Sequence, residues 1–242
     1  MHIQYLGHSA FLITTGTGEK LLFDPFITPN ELAQSKVSIK ELQPDFIFLS
    51  HAHFDHIADA EAISKAAQTP IVGVWEIHTY FSEKGCLTHP MNVGGTWRSP
   101  KHDGKVSVKF VPAIHTSSFP DGRYGGVPVG FIVSDGTHTL YYAGDTALSL
   151  EMELISERYT LDIALLPIGG TFTMDVEDAV EAALLLDVEH VIGMHYDTFP
   201  PIKIDHLQAQ QAFKDNDCTL HLLEIGGSLE ISKVVAETSR RL

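Results

Sequence analysis

The chain has 242 residues, a formal net charge of −15 with histidines neutral, 44% hydrophobic and 19% charged residues, which is enough apolar material for one self-standing α/β domain over 1–242. The acidic balance argues against an extended nucleic-acid face, which needs clustered Lys and Arg, and no apolar run reaches membrane-spanning length. Cys86 and Cys218 stand far apart in no paired spacing, which excludes a disulfide scaffold and a zinc ribbon; with an opening Met1-His2-Ile3-Gln4-Tyr5-Leu6 that does not read as a signal peptide, the expectation is a cytoplasmic protein. In chain order, residues 3–6, 10–13 and 20–23 predict three short antiparallel strands with turns at Gly7-His8 and Gly16-Thr17-Gly18. From Asp45 the pattern changes to strand 46–49, helix 59–67, strand 71–74 and helix 75–84, a βαβ alternation.

Residues 105–114 then alternate as a half-buried strand, and 129–133 and 139–142 form a hairpin through Asp135-Gly136. The alternation returns with helix 150–158, strand 163–166, helix 175–186, strand 191–194, helix 207–214 and a closing strand pair around 220–231. Strand and helix in similar order on either side of the hairpin suggest two stacked sheets with helices outside, although periodicity alone licenses only α/β. No repeat or linker divides the chain.

One segment carries chemistry. Ser50-His51-Ala52-His53-Phe54-Asp55-His56 spells H-x-H-x-D-H directly after the buried strand 46–49. Imidazole and carboxylate together suit zinc and its first-row neighbours, whereas calcium wants oxygen alone. Adjacent Asp55 and His56 crowd a single tetrahedron already holding His51 and His53, and two ions side by side resolve that crowding. Further ligands stand just past other apolar strands: His115, Asp145 and His195. Ligands of α/β proteins gather at the carboxyl edge of the sheet, so all three are expected on the rim that holds the motif. Taken singly, each is more often an ordinary strand-end or turn residue; a two-metal motif that lacks ligands without them reverses the balance. Asp24, after Leu21-Leu22-Phe23, either starts a turn with Pro25 or braces the ligand loop by receiving an imidazole N–H.

These residues resemble the metallo-β-lactamase superfamily over nearly the whole chain. Gly7-His8-Ser9-Ala10-Phe11-Leu12-Ile13, Pro167-Ile168-Gly169-Gly170 and Met194-His195-Tyr196-Asp197-Thr198 are more narrowly similar to its UPF0173 branch of metal-dependent hydrolases, near the ascorbate-phosphate lactonase type. The resemblance implies a four-layer αβ/βα sandwich of two mixed sheets. It also implies one ion on His51, His53 and His115, the other on Asp55, His56 and His195, and Asp145 bridging. His53 stands where flavodiiron relatives carry Glu, and neither cysteine falls in a ligand segment as in many secreted β-lactamases. No basic arm or inserted domain of the ribonuclease relatives is visible.

The expected activity is hydrolysis of a small ester, lactone or related molecule by a hydroxide held between two divalent ions, zinc first, with manganese, iron or nickel as alternatives. Asp55 would orient the nucleophile and pass a proton, and His8, in the turn after the first strand, would contact substrate or move a proton. Thr146, Gly169 and Gly170 are candidates for the pocket wall. A phosphodiesterase or nuclease, or a non-catalytic metal-binding protein, are the other readings, and the sequence leaves a homo-oligomer open. The remaining eight histidines show no partner pattern.

Overall fold

The computed structural model describes residues 1–232. The chain opens with an antiparallel meander of β1 (His2–Gly7), β2 (Ala10–Thr14) and β3 (Lys20–Phe23). It then adds β4 (Phe46–Phe48), the short helix α1 (Phe54–Ile57), α2 (Ala60–Ala67), β5 (Ile71–Val74), α3 (Trp75–Glu83) and β6 (Thr88–Met91), with the three new strands parallel to β3. The second sheet repeats the plan: β7 (Thr96–Arg98), β8 (Ser107–Pro112), β9 (Val129–Ser134) and β10 (Thr139–Tyr142) are antiparallel. After α4 (Glu151–Ser156), the strands β11 (Ile163–Pro167), β12 (His190–Met194) and β13 (Thr219–His221) run parallel, separated by α5 (Val176–Leu185) and α6 (His206–Lys214). The last strand, β14 (Ser228–Glu230), returns to pair with β1.

Two mixed seven-stranded sheets result, ordered β14-β1-β2-β3-β4-β5-β6 and β13-β12-β11-β10-β9-β8-β7. They face one another through aromatic side chains: Phe23 lies 5.5 Å from Phe131 and 5.2 Å from Tyr142, and Phe48 lies 5.9 Å from Phe131. Each buried ring contributes about 1.5–3 kcal/mol. Helix α3 packs on β5 and β6, α5 on β11, and α6 on β13 and α5, which covers the outer faces and gives the α/β sandwich. Strand β11 is buried along its whole length, which is why 163–166 reads as an unbroken apolar run rather than an alternation.

Three features differ from the sequence expectation. The two closing strands do not pair with each other; β13 completes the second sheet and β14 the first. Strands β6 and β7 carry no apolar signal because β6 is a partly exposed edge containing Pro90 and β7 has three residues with only Trp97 buried. Residues 54–57, inside the motif, form a helical turn that the ligand spacing masked. Among the described residues, no helix is long and apolar enough to cross a membrane.

Candidate metal centre

The candidate residues stand where strands run out at one edge of the sandwich: His8 after β1, Asp24 after β3, His51 after β4, His115 after β8, Asp145 after β10 and His195 after β12. Three of them, His8, Asp24 and His195, hold left-handed φ values of 56°, 43° and 55°. For a non-glycine residue each such conformation costs about 1–3 kcal/mol and persists only where surrounding contacts fix it.

Asp24 is fully buried. Its Oδ1 accepts from the Ser50 N–H at 2.8 Å, and its Oδ2 accepts from Ser50 Oγ at 2.5 Å, His56 Nδ1 at 2.8 Å and Tyr142 Oη at 2.7 Å. Because a carboxylate accepts only, the Ser50 hydroxyl proton is committed to Asp24, and Ser50 Oγ receives the Nδ1–H of His51 at 3.0 Å. One carboxylate thus fixes the Nδ1–H of both rings, leaving the Nε2 atoms of His51 and His56 turned away from it. Ser50 and Tyr142 were not foreseen as part of the site; Ser50 adjoins the motif, whereas Tyr142 reaches in from the other sheet with no sequence signal.

Two groups of donors lie side by side. One nitrogen each of His51, His53 and His115 fall within 4.8 Å of one another, as do the donors of His8, Asp55, His56 and His195. Asp145 lies between: its Oδ2 is 3.9 Å from His51 Nε2, 3.6 Å from His115 Nε2, 3.3 Å from His56 Nε2 and 3.0 Å from His195 Nε2. His56 Nε2 and Asp145 Oδ1 are buried without a hydrogen-bond partner. Unpartnered buried atoms of this kind are costly, and a cation held between the groups would satisfy them.

The electrostatics divide along the same line. Burial pushes His51, His53 and His115 below the ordinary imidazole range, so they stand neutral, the form that ligates. Burial also opposes charge on His56 and His195, yet Asp145 outweighs it: His56 is held well above its usual value and His195 is pushed up to about 9. Asp145 and Asp55 are held well below the usual carboxylate range, against burial, by the imidazoles around them. Without a cation, the second group keeps protons that a divalent ion would replace.

Local backbone explains the precision. A Cβ at Gly144, the residue before Asp145, would lie 2.9 Å from both Ser50 Cβ and the Val129 carbonyl oxygen, so only glycine lets this turn pass so close to the motif strand. A Cβ at Gly169 would lie 2.1 Å from the His195 carbonyl oxygen. Neither Gly169 nor Gly170 lines the cavity over the histidine and aspartate rim; Gly169 permits the close approach of the His195 turn and Gly170 a positive φ. Thr146 is buried too, its Oγ1 accepting from the Ile114 N–H at 3.0 Å and thereby tying the His115 loop to the Asp145 loop.

A cavity of about 600 Å³ opens over His53, Asp55, His115, Asp145 and His195. Thr116, Thr171, Ile114 and Phe172 complete its wall, the last two with 56% and 53% of their surfaces exposed, and no Lys or Arg of the described residues lines it. His8 is 1% exposed and does not line this cavity; its Nε2 stands 3.1 Å from Asp55 Oδ2 and its Nδ1 2.9 Å from Thr198 Oγ1. His8 instead borders a neighbouring cavity that Tyr5, Leu32, Lys36 and Tyr196 also line. Among the histidines outside the cluster, His206 pairs with Asp197 at 2.6 Å.

Comparison with known proteins places this arrangement in a family. The model of the beta-lactamase superfamily domain matches residues 2–195. A UPF0173 metal-dependent hydrolase of Christiangramia forsetii is 48% identical over 96% of this chain and all of its own length. This chain belongs to the UPF0173 metal-dependent hydrolases. Another UPF0173 metal-dependent hydrolase, from Thermus thermophilus, is 44% identical over 96% of this chain and 99% of its own. The solved structure of Igni18, a metallo hydrolase of Ignicoccus hospitalis, is similar with a TM-score of 0.84 at 35% identity, covering 94% of this chain and 97% of that one. UPF0173 membership thus accounts for the fold, with the histidine and aspartate rim among the features that this chain itself displays.

Proposed function

We propose that this protein hydrolyses a small ester, lactone or related molecule with two divalent cations, one held by His51, His53 and His115 and the other by Asp55, His56 and His195, with Asp145 shared. The observation that carries the reading is Asp145 Oδ2, which stands within 3.9 Å of four imidazole nitrogens drawn from both groups, one of them otherwise unpartnered. Nitrogen and carboxylate donors in this number favour zinc, with manganese, iron or nickel able to use the same set. When bound, such a pair of cations polarises a carbonyl oxygen and lowers the pKa of a water to about 7.

The chain's own residues supply the rest. Asp24, through His56 directly and His51 by way of Ser50, keeps the imidazole lone pairs directed into the centre. Asp55, half-buried on the cavity wall, is placed to orient the attacking water by accepting its hydrogen bond and to hand its proton to the leaving group. Ile114 and Phe172 offer apolar surface to the part of the substrate flanking the scissile bond and help exclude water. A wall without basic side chains among the described residues favours an ester or lactone over a phosphodiester, whose charge would want Lys or Arg. The two unpaired cysteines support residence in a reducing cytoplasm.

A panel of lactones, thioesters and phosphodiesters tested on metal-loaded and chelated protein decides the matter. The expected result is turnover of a lactone or ester that disappears on chelation and returns with added zinc or manganese. Turnover that survives complete metal removal contradicts the reading, and phosphodiester cleavage with salt-dependent RNA or DNA binding would replace it with a nuclease.

A further inference from the structure

The turn between β1 and β2 carries a buried imidazole that the ligand set above leaves unused. His8 is fixed there by a backbone clip: the His195 N–H donates to the His8 carbonyl at 3.0 Å, and the two rings lie 4.2 Å apart. Among the described residues, its ring nitrogens meet two polar side chains, Thr198 at Nδ1 and Asp55 at Nε2.

Two tautomers of this ring find complete partners. With its proton on Nε2, the ring donates to Asp55 Oδ2 at 3.1 Å and Nδ1 accepts from the Thr198 hydroxyl at 2.9 Å. With its proton on Nδ1, Thr198 Oγ1 accepts from it and donates to the Tyr196 carbonyl oxygen at 3.3 Å, which frees the Nε2 lone pair beside Asp55 Oδ2. A cation against both Nε2 and Oδ2 favours the second tautomer. The separation matches two donors each about 2.1 Å from a shared ion and at right angles to one another.

We infer that His8 Nε2 is a further donor to the second cation, beside Asp55, His56 and His195, an assignment that rests on the two-cation reading above. Its donor lies within 4.8 Å of those of all three. Thr198 is its positioning residue, accepting the Nδ1–H of the tautomer that ligates through Nε2. The two positions then differ in kind. With Asp145 shared, the first has four protein donors and keeps room for substrate on the cavity side. The second has five, which suits an ion that prefers octahedral surroundings, such as manganese or nickel, over tetrahedral zinc.

Calorimetric titration of metal-free wild type and His8→Ala with Mn²⁺ and, separately, Zn²⁺ tests this without recourse to turnover. Wild type is expected to bind in two events. His8→Ala should keep the first and weaken the second at least ~10–100-fold for Mn²⁺, with a smaller loss for Zn²⁺. An unchanged second event overturns the inference, as does an equal loss for both metals, which would make His8 only a brace for Asp55. Should His8→Ala fail to fold, Thr198→Val keeps the imidazole and removes its acceptor; it should weaken the second Mn²⁺ event alone, and two unchanged events overturn the inference. Wild type that binds no metal overturns this inference together with the proposed function, whereas two wild-type events unaffected by either substitution overturn this one alone.

Discussion

Asp145→Asn protein is expected to lose the paired occupancy of its metal centre and at least ~10²–10³-fold in kcat, the range that removal of one well-placed stabilising group costs an active site. The reason is charge. Among the described residues, Asp145 Oδ2 is the one carboxylate oxygen within 3.9 Å of imidazoles from both donor groups. In two-metal sites the ions lie about 3.5–4 Å apart, and unit charges 4 Å apart already repel by about 4 kcal/mol at an effective dielectric of 20. For doubly charged ions that repulsion is about fourfold greater, and a shared anion between them is what offsets it. Asparagine keeps the shape and removes the anion. Metal analysis after dialysis should show fewer than two ions per chain, with the far-UV circular dichroism unchanged. Full metal content with undiminished turnover would show that Asp145 is a bystander.

Asp24→Asn should act on stability as much as on metal. The Oδ2 of Asp24 accepts from three donors, Ser50 Oγ, His56 Nδ1 and Tyr142 Oη, in a fully buried position, while Oδ1 takes the Ser50 N–H. An amide nitrogen at the Oδ2 position would set a donor against three donors; turning the amide over would set it against the Ser50 N–H and remove the charge in either case. Breaking a buried charged network from one side costs about 3–5 kcal/mol, which for a chain of this size lowers Tm by roughly 10 °C. Metal affinity should fall ~10–100-fold, because His56 loses the partner that sets its tautomer. Thermal unfolding with and without metal checks both; a loss confined to the metal-loaded protein would mean that Asp24 has no structural share.

The legibility of the site in the sequence follows from how local each piece is. His51, His53, Asp55 and His56 lie within six consecutive residues, so their spacing alone announced a cluster. His115, Asp145 and His195 could be placed on the same rim because each follows an apolar run, and the structure brings all three beside the motif. Contacts made across the sandwich were not legible. Tyr142 reads as one more residue of a buried strand, and only the stacking of the two sheets carries its hydroxyl to Asp24 and to the carbonyl oxygen of Ser9. His8 shows its turn in sequence but not its burial, since the clip to His195 joins residues at opposite ends of the chain. The cavity wall was likewise hidden: Ile114 reads as the end of an alternating strand and Phe172 as a loop residue, yet both stay exposed at the mouth.

Edge strands and chain closure failed to show for a related reason. Strand β6 is partly exposed and β7 very short, so neither buries enough to impose a pattern, and β13 and β14 separate because the chain crosses from one sheet to the other between them.

Anomalous diffraction from crystals grown with zinc or manganese addresses the central claim most directly. Two peaks are predicted, one among the ring nitrogens of His51, His53 and His115 and one among Asp55, His56 and His195, with the Asp145 carboxylate touching both. A single peak, or peaks away from these side chains, would contradict it.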